Sequence, residues 1–119
     1  MGAAIGRLTK RAEFLQVAAS RRKWAAPGVV LQAMKRPDGG EGVRVGFTAT
    51  RKLGGAVERN RARRRLRAAA QAILPVAAIP GHDYVLIARA GTLTRPWPML
   101  LEDLRKAIEA VTSRRREGR

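Results

Sequence analysis

The chain has 119 residues and carries 25 lysines and arginines against 9 aspartates and glutamates, which gives a net charge of +16 and an isoelectric point near 11.9. This length suits a single domain with a modest core, and the charge favours polyanionic partners. Cysteine is absent, which excludes disulfides, thiolate zinc sites and cysteine nucleophiles. No apolar stretch approaches the roughly 20 residues that a membrane-spanning helix requires, and we expect a cytoplasmic protein.

The first half of the chain predicts a helix followed by strands. Residues 8–19 show helical spacing of apolar side chains, with Thr9 as a candidate N-cap. Residues 20–26 fit either an edge strand or a loop. Residues 29–35 have the pattern of a buried strand, and a Gly-rich turn separates them from residues 43–50, which alternate apolar and small polar side chains as a half-buried strand does.

A long helix is predicted over residues 56–74, beginning after Gly54-Gly55 and ending at Pro75. One side of it carries an apolar stripe that is typical of a helix packed on a sheet: Ala62, Leu66, Ala69, Ala70 and Ile73. The opposite side is basic and carries Asn60, Arg61, Arg64, Arg65 and Arg67, with Arg63 at its margin. Apolar packing and a charged surface are therefore both expected of this helix.

The remaining segments complete an α+β protein. Residues 83–90 predict a second buried strand, residues 91–96 a loop and residues 97–111 a final helix. Residues 1–7 and 113–119 are expected to be flexible tails of a single domain spanning residues 1–119. The order predicts a two-layer sandwich of a small mixed sheet with helices, in which residues 43–90 form a βαβ unit if its strands are parallel. The general rule makes such a crossover right-handed.

Six arginines lie within residues 59–67, and Glu58 is the only acidic residue near them in the sequence. A GC-rich genome would by itself raise the number of arginines, so their position carries more weight than their number. Charge runs are often solvated faces, but like charges this dense on one helix repel one another unless phosphates neutralise them. Asn60 adds an uncharged donor and acceptor for a base edge or a 2′-hydroxyl. The pattern predicts an RNA-contacting helix.

Signals for protein-based catalysis are weak. The single histidine, His82, lies in a turn bounded by Pro and Gly, and a structural or merely exposed role is favoured. The acidic residues form no convincing metal or general-acid pair, and phosphate-loop and dinucleotide motifs are absent. Trp97 at a helix start suggests a core or capping contact. Phe14 and Trp24 suit either packing or base stacking.

Residues 45–69, VGFTATRKLGGAVERNRARRRLRAA, closely resemble the signature of the protein subunit of bacterial ribonuclease P. The resemblance extends more loosely through LTKRAEF upstream and DYVLIAR downstream, and it covers about residues 8–111. It implies an αβββαβα order and, against the general rule, a left-handed βαβ crossover. Three positions depart from the family pattern: Ala18 replaces an aromatic residue, Gln32 a tyrosine, and Gly55 an asparagine.

The resemblance also implies the function. The protein would bind the catalytic ribonuclease P RNA and the 5′ leader of precursor tRNA, and would assist the endonucleolytic cut that yields the mature 5′ end. Chemistry would reside in the RNA with its Mg²⁺, with no cofactor held tightly by the protein, no membrane and no obligate protein partner. The family's RNA-facing role falls on Arg59, Asn60, Arg61, Arg63, Arg64 and Arg67. The leader-binding role falls on Phe14, Thr48, Thr50, Arg51, Lys52 and Arg89.

Two other functions compete with this interpretation. Composition alone would favour an architectural protein of ribosomes or chromatin, and a self-sufficient nuclease is the enzyme alternative. The ordered string of motifs favours the ribonuclease P subunit over both.

Overall fold

The computed structural model describes residues 5–117, with the backbone alone for residues 113–117. The sheet has five strands: β1 Ile5–Arg7, β2 Lys23–Ala26, β3 Val29–Lys35, β4 Val43–Thr48 and β5 His82–Ile87. Their order in the sheet is β1-β4-β5-β3-β2. β4 pairs in parallel with both β1 and β5, whereas β3 pairs antiparallel with β2 and β5. The predicted mixed sheet is confirmed. Of the two alternatives for residues 20–26, the structure shows the edge strand, which is β2.

The described residues form four α-helices: α1 Arg11–Ala19, α2 Ala56–Ala77, α3 Ala90–Thr94 and α4 Trp97–Glu117. A single 3₁₀ turn, Arg51–Leu53, precedes α2. Helices α2 and α4 cover one face of the sheet and enclose the main core with it. Helix α1 packs on the other face, where Val17 meets Val85 in a smaller cluster. The predicted α+β sandwich is confirmed, with α2 connecting the parallel strands β4 and β5.

The predicted stripe on α2 packs against the sheet, with one shift at its end. Ala62, Leu66, Ala69 and Ala70 are buried, but Leu74 is buried where Ile73 is only partly so. The helix also continues past Pro75 to Ala77. Pro75 has no N–H to donate to the Gln71 carbonyl one turn earlier, but only two helical residues follow it, and the Ala78 N–H still donates to Leu74 O at 3.0 Å.

Several predicted boundaries need correction. Residues 5–7 form β1 rather than part of a tail, because they pair along the free edge of β4. α4 continues to Glu117 and includes residues 113–117 of the predicted tail, since residues 99–117 contain no glycine or proline. The predicted loop at 91–96 is replaced by α3 over most of its length; this helix is too short to show a periodic pattern. The other predicted tail residues, 1–4 and 118–119, lie outside the described residues.

Helix α1 starts at Arg11 with Lys10, not Thr9, in the N-cap position. Glu13 provides the cap from inside the helix, because its Oε1 accepts the backbone N–H groups of Thr9 and Lys10 at 3.0 and 2.9 Å. These hydrogen bonds lower the pKa of the Glu13 carboxyl. The other oxygen of this carboxylate, Glu13 Oε2, lies 3.5 Å from Arg44 Nη1 on β4, and this ion pair connects α1 to the sheet.

Candidate nucleic-acid interface

The basic helix α2 begins immediately after a glycine pair. Gly54 has a φ of 143°, a backbone conformation that glycine adopts readily and residues with a side chain rarely adopt. Gly55 is the N-cap residue. The sequence lacks a polar side chain at the cap, but Glu58 Oε1 accepts the Gly55 N–H at 2.9 Å and takes its place. The one acidic residue of α2 is therefore engaged at the helix start, away from the arginines further along it.

Four predicted RNA-contacting residues line one open groove of about 470 Å³: Asn60, Arg63, Arg64 and Arg67. Arg63 Nη1 donates to Asn60 Oδ1 at 3.1 Å, which orders these two side chains across one helical turn. Arg61 and Arg64 are exposed, and no hydrogen bond or ion pair engages either within the described part of the chain. Arg59 is partly buried and donates from Nε to Gly55 O at 3.4 Å. The structure thus brings most of the predicted set together.

Three aspartates pair with arginines that lie outside α2. Asp83 Oδ2 lies 2.7 Å from Arg44 Nη2, and Asp103 Oδ2 lies 2.9 Å from Arg95 Nε. Asp38 lies 2.8 Å from Arg36, and the hydrogen bonds from that guanidinium lower the pKa of the carboxyl to about 2. Where side chains are described, over residues 5–112, no ion pair joins an α2 arginine to a carboxylate. The positive charge of α2 is available to an external anion.

Arg65 differs from its neighbours on the predicted basic face. Its Nη1 donates to Thr92 O and its Nη2 to Arg95 O, both at 2.6 Å. These carbonyls lie at the C-terminal end of α3, where a helix leaves acceptors without backbone partners. Arg65 therefore holds α3 against α2, and the prediction that it shares the free basic face is wrong.

A second groove, of about 420 Å³, lies between α1 and the end of β4. Its lining residues are Thr9, Arg11, Phe14, Leu15, Phe47, Thr48, Ala49 and Arg63. It brings together Phe14 and Thr48, two of the predicted leader-binding residues. It also includes Arg63 from the predicted catalytic-RNA set, so the two grooves share this side chain. The sequence did not single out Arg11, Leu15 or Phe47 for this surface, because only the packing of α1 on the sheet places them there.

Phe14 lies partly buried over Gly46 of β4, and this contact depends on the absence of a side chain. A Cβ on Gly46 would lie 2.5 Å from both Cε1 and Cζ of the ring. The ring packs against a buried cluster that includes Leu8 and Val85. Phe14 thus has a packing role, and its uncovered part borders the groove.

Gly46→Ala is expected to displace the Phe14 ring and destabilise the fold by about 1–3 kcal/mol, because overpacking forces such a shift. Urea unfolding would measure this loss. Gly42→Ala is the matched control, since its Cβ would approach only the flexible end of Arg36, at 3.3 Å. Phe14→Leu in the Gly46→Ala background should recover part of the stability. Equal stabilities for the two single variants would contradict the packing.

The other predicted leader-binding residues surround the carboxyl ends of β4 and β5. Thr50, Arg51 and Lys52 are exposed in the connection that leads to α2. Arg89 follows β5, and its neighbour Ala88 donates a backbone hydrogen bond to Thr48 O at 2.8 Å. The Arg89 side chain is not free, because its Nη1 donates to Ala26 O at 2.7 Å. All four residues lie at the same end of the sheet as Thr48.

His82 and Tyr84 are buried, whereas both tryptophans are partly exposed. His82 is buried, with Nδ1 3.2 Å from Pro80 O and its ring 6.2 Å from that of Tyr84. Burial raises the pKa of the Tyr84 phenol, whose oxygen accepts the Ile79 N–H at 2.9 Å. Trp97 is 38% exposed rather than a core contact, and Trp24 is 41% exposed on edge strand β2. Within the described residues, no group of three or more His, Cys, Asp or Glu could hold a metal ion.

None of the described helices combines the length and the hydropathy that crossing a membrane requires.

Comparisons with known proteins show the family of the chain. A family model described as Ribonuclease P matches residues 4–112. A ribonuclease P protein component of Paramagnetospirillum magneticum is 53% identical over 116 residues, which cover 93% of this chain and 86% of that protein. The ribonuclease P protein component of Caulobacter vibrioides is 55% identical over 107 residues, which cover 90% of this chain and 71% of that protein.

Solved structures show the same fold. The RNase P protein from Thermotoga maritima superimposes with a TM-score of 0.69 at 26% identity and covers 82% of this chain and 90% of that one. The Staphylococcus aureus RNase P protein has a TM-score of 0.72 at 21% identity, covering 87% and 93%. Because the family model spans nearly all of the described residues and the relatives share half of the sequence, the chain belongs to the ribonuclease P protein family.

Proposed function

We propose that this protein binds the catalytic RNA of ribonuclease P through the basic groove on α2 and the leader of precursor tRNA through the groove beside Phe14. As a ribonuclease P protein component, it works with that RNA in removing the 5′ leader, and the RNA performs the hydrolysis. The observation that carries the proposal is the groove formed by Asn60, Arg63, Arg64 and Arg67, which has guanidinium donors and no pairing carboxylate within the described chain.

The chemistry of this groove suits an RNA backbone. Guanidinium groups donate two parallel hydrogen bonds to phosphate oxygens, and several on one helix can contact successive phosphates. Arg59 and Arg61 lie on either side of Asn60 in the first turns of the same helix. Asn60 can donate and accept at a base edge or a 2′-hydroxyl even while its Oδ1 accepts from Arg63.

We assign the leader to the groove between α1 and the end of β4, because the lining of this groove combines an aromatic ring, a hydroxyl group and cations. Phe14 offers a partly exposed ring for stacking, and Thr48 offers a hydroxyl. Thr50, Arg51, Lys52 and Arg89 lie at the same end of the sheet and would contact the leader backbone. Since Arg63 borders both grooves, the leader and the catalytic RNA would lie side by side.

Mg²⁺ is assigned to the RNA in this proposal. The described residues offer no cluster of three or more His, Cys, Asp or Glu ligands for a metal ion. The positive grooves would instead reduce phosphate repulsion between RNA and precursor, which favours Mg²⁺ occupancy in the RNA active site. We also place the protein in the cytoplasm, where precursor tRNA of a bacterial cell is processed.

Reconstitution tests the function directly. Precursor tRNA cleavage is measured at low Mg²⁺ with the catalytic RNA alone, the protein alone, and both together. We expect little cleavage by the RNA alone, none by the protein alone and strong cleavage by the pair, with the cut at the mature 5′ end. Cleavage by the protein alone would indicate a nuclease, and a protein without effect would indicate an architectural role; either result contradicts the proposal.

A further inference from the structure

Two arginines from different elements lie over one aromatic ring. The guanidinium carbon of Arg7, on edge strand β1, is 5.2 Å from the ring centroid of Phe47. That of Arg67, on α2, is 5.9 Å from the same centroid. Together with Ile5, Val45, Ala70 and Gln71, these three side chains line a cavity of about 100 Å³ between β1 and α2.

The two guanidinium groups lack a counter-charge. Among residues 5–112, whose side chains the structure describes, no carboxylate forms an ion pair with Arg7 or Arg67. The Nε of Arg67 is shielded from solvent and has no hydrogen-bond acceptor in the described structure. Each cation is attracted by the negative face of the Phe47 ring, but the ring carries no net charge and does not remove the repulsion between the two guanidinium groups.

The position of Arg67 connects this cluster to the basic groove. Arg67 lines the groove of Asn60, Arg63 and Arg64 as well as the cavity beside Arg7. A polyanion lying along α2 would therefore pass next to Arg7 without leaving the protein surface. Arg7 is exposed, so its guanidinium nitrogens are open to a ligand.

We propose that Arg7 and Arg67, both positioned by Phe47, form a phosphate-binding site for the backbone of the catalytic RNA, which extends the RNA-contacting surface from α2 onto β1. The inference rests on the proposed function and adds a contact to it from outside the arginine-rich helix. A phosphate between the two guanidinium groups would supply the missing counter-charge and could accept hydrogen bonds from both. Phe47 is a positioning residue, since it holds the two cations without contacting the RNA itself.

The test is the affinity of the intact protein for the catalytic RNA over a series of KCl concentrations at constant Mg²⁺. Each phosphate contact contributes a slope of about 0.7–0.9 to the dependence of log affinity on log salt. We expect Arg7→Gln to weaken binding about fivefold at 0.1 M salt and to lower that slope by about one contact. Lys106→Gln, which removes an exposed charge from α4, is the matched control and should change neither quantity by as much.

A second pair of variants tests the role of the ring. Phe47→Leu keeps both charges but removes the aromatic face. We expect this substitution to weaken binding of the catalytic RNA when Arg7 is present, and to have a much smaller effect in protein that already carries Arg7→Gln. Thermal unfolding would confirm that each variant is folded. Equal effects of Arg7→Gln and Lys106→Gln would overturn the site, as would a loss confined to precursor tRNA. Failure of the wild-type protein to bind the RNA would instead contradict the proposed function.

Discussion

Replacing Arg61 and Arg64 together by alanine is expected to weaken binding of the catalytic RNA about 30-fold near 0.1 M salt, which corresponds to two lost phosphate contacts. The free energy of unfolding should change by less than about 0.5 kcal/mol, because alanine favours the helix and substitutions on an exposed surface are usually this small. Both side chains are exposed and make no hydrogen bond or ion pair within the described chain. Equilibrium binding and urea unfolding of the same preparations measure the two effects.

A double variant with the same loss of charge provides the control. Lys35 lies at the end of β3 and Lys106 on α4, and both are exposed. Replacing these two lysines by alanine lowers the net charge equally but leaves the groove on α2 intact. If this control weakens RNA binding as much as the arginine variant does, overall charge rather than the α2 surface determines affinity, and the assignment of the groove is wrong.

Asp103→Ala is expected to destabilise the fold by about 3 kcal/mol, since removal of one partner of a buried ion pair leaves the other uncompensated. The Asp103 carboxylate is nearly inaccessible and accepts the Gly28 N–H at 2.9 Å and two Arg95 N–H groups at 2.9 and 3.1 Å. Both the Gly28 donor and the Arg95 guanidinium would lose these bonds. The melting temperature should fall by about 10 °C for a chain of this size.

Glu102→Ala is the control for this variant, because the neighbouring carboxylate pairs with Arg105 on the exposed side of the same helix. Exposed pairs contribute between zero and about 1 kcal/mol, so the melting temperature should barely change. Similar losses for the two variants would contradict the buried role of Asp103. A stable Asp103→Ala protein with lost cleavage activity would point to a direct functional role instead.

The network around Asp103 also positions the end of the sheet assigned to the leader. Thr92 Oγ1 donates to Gly28 O at 2.5 Å and accepts the Arg89 backbone N–H at 2.9 Å. A Cβ on Gly91 would lie 2.3 Å from Pro27 O, so α3 packs directly on the turn between β2 and β3. The bonds to Gly28 join the β2–β3 turn to α3 and α4, 64 and 75 positions further along the chain, and no local sequence pattern predicts them.

Sequence patterns were most successful where the physical cause is local. The bounds of β3 match the prediction, because a buried strand between two turns is defined by its own residues. The two sides of α2 follow from the helical repeat, which places Ala62 and Leu66 in the core and Arg61 and Arg64 in solvent. The resemblance over residues 45–69 was confirmed by the family model and the relatives. The residue-level RNA contacts stay predictions.

By itself, then, the sequence determined the α+β class, the basic helix and the family, since periodicity, charge and an ordered motif are properties of neighbouring residues. Only the tertiary structure decided which arginines are available. Arg64 and Arg65 are adjacent in the chain, yet one is exposed while the other binds the carbonyls of α3. Likewise Arg7, Phe47 and Arg67 meet only because β1 pairs with β4 beneath α2. Contacts between distant segments depend on how elements pack, and the one-dimensional pattern does not contain that information.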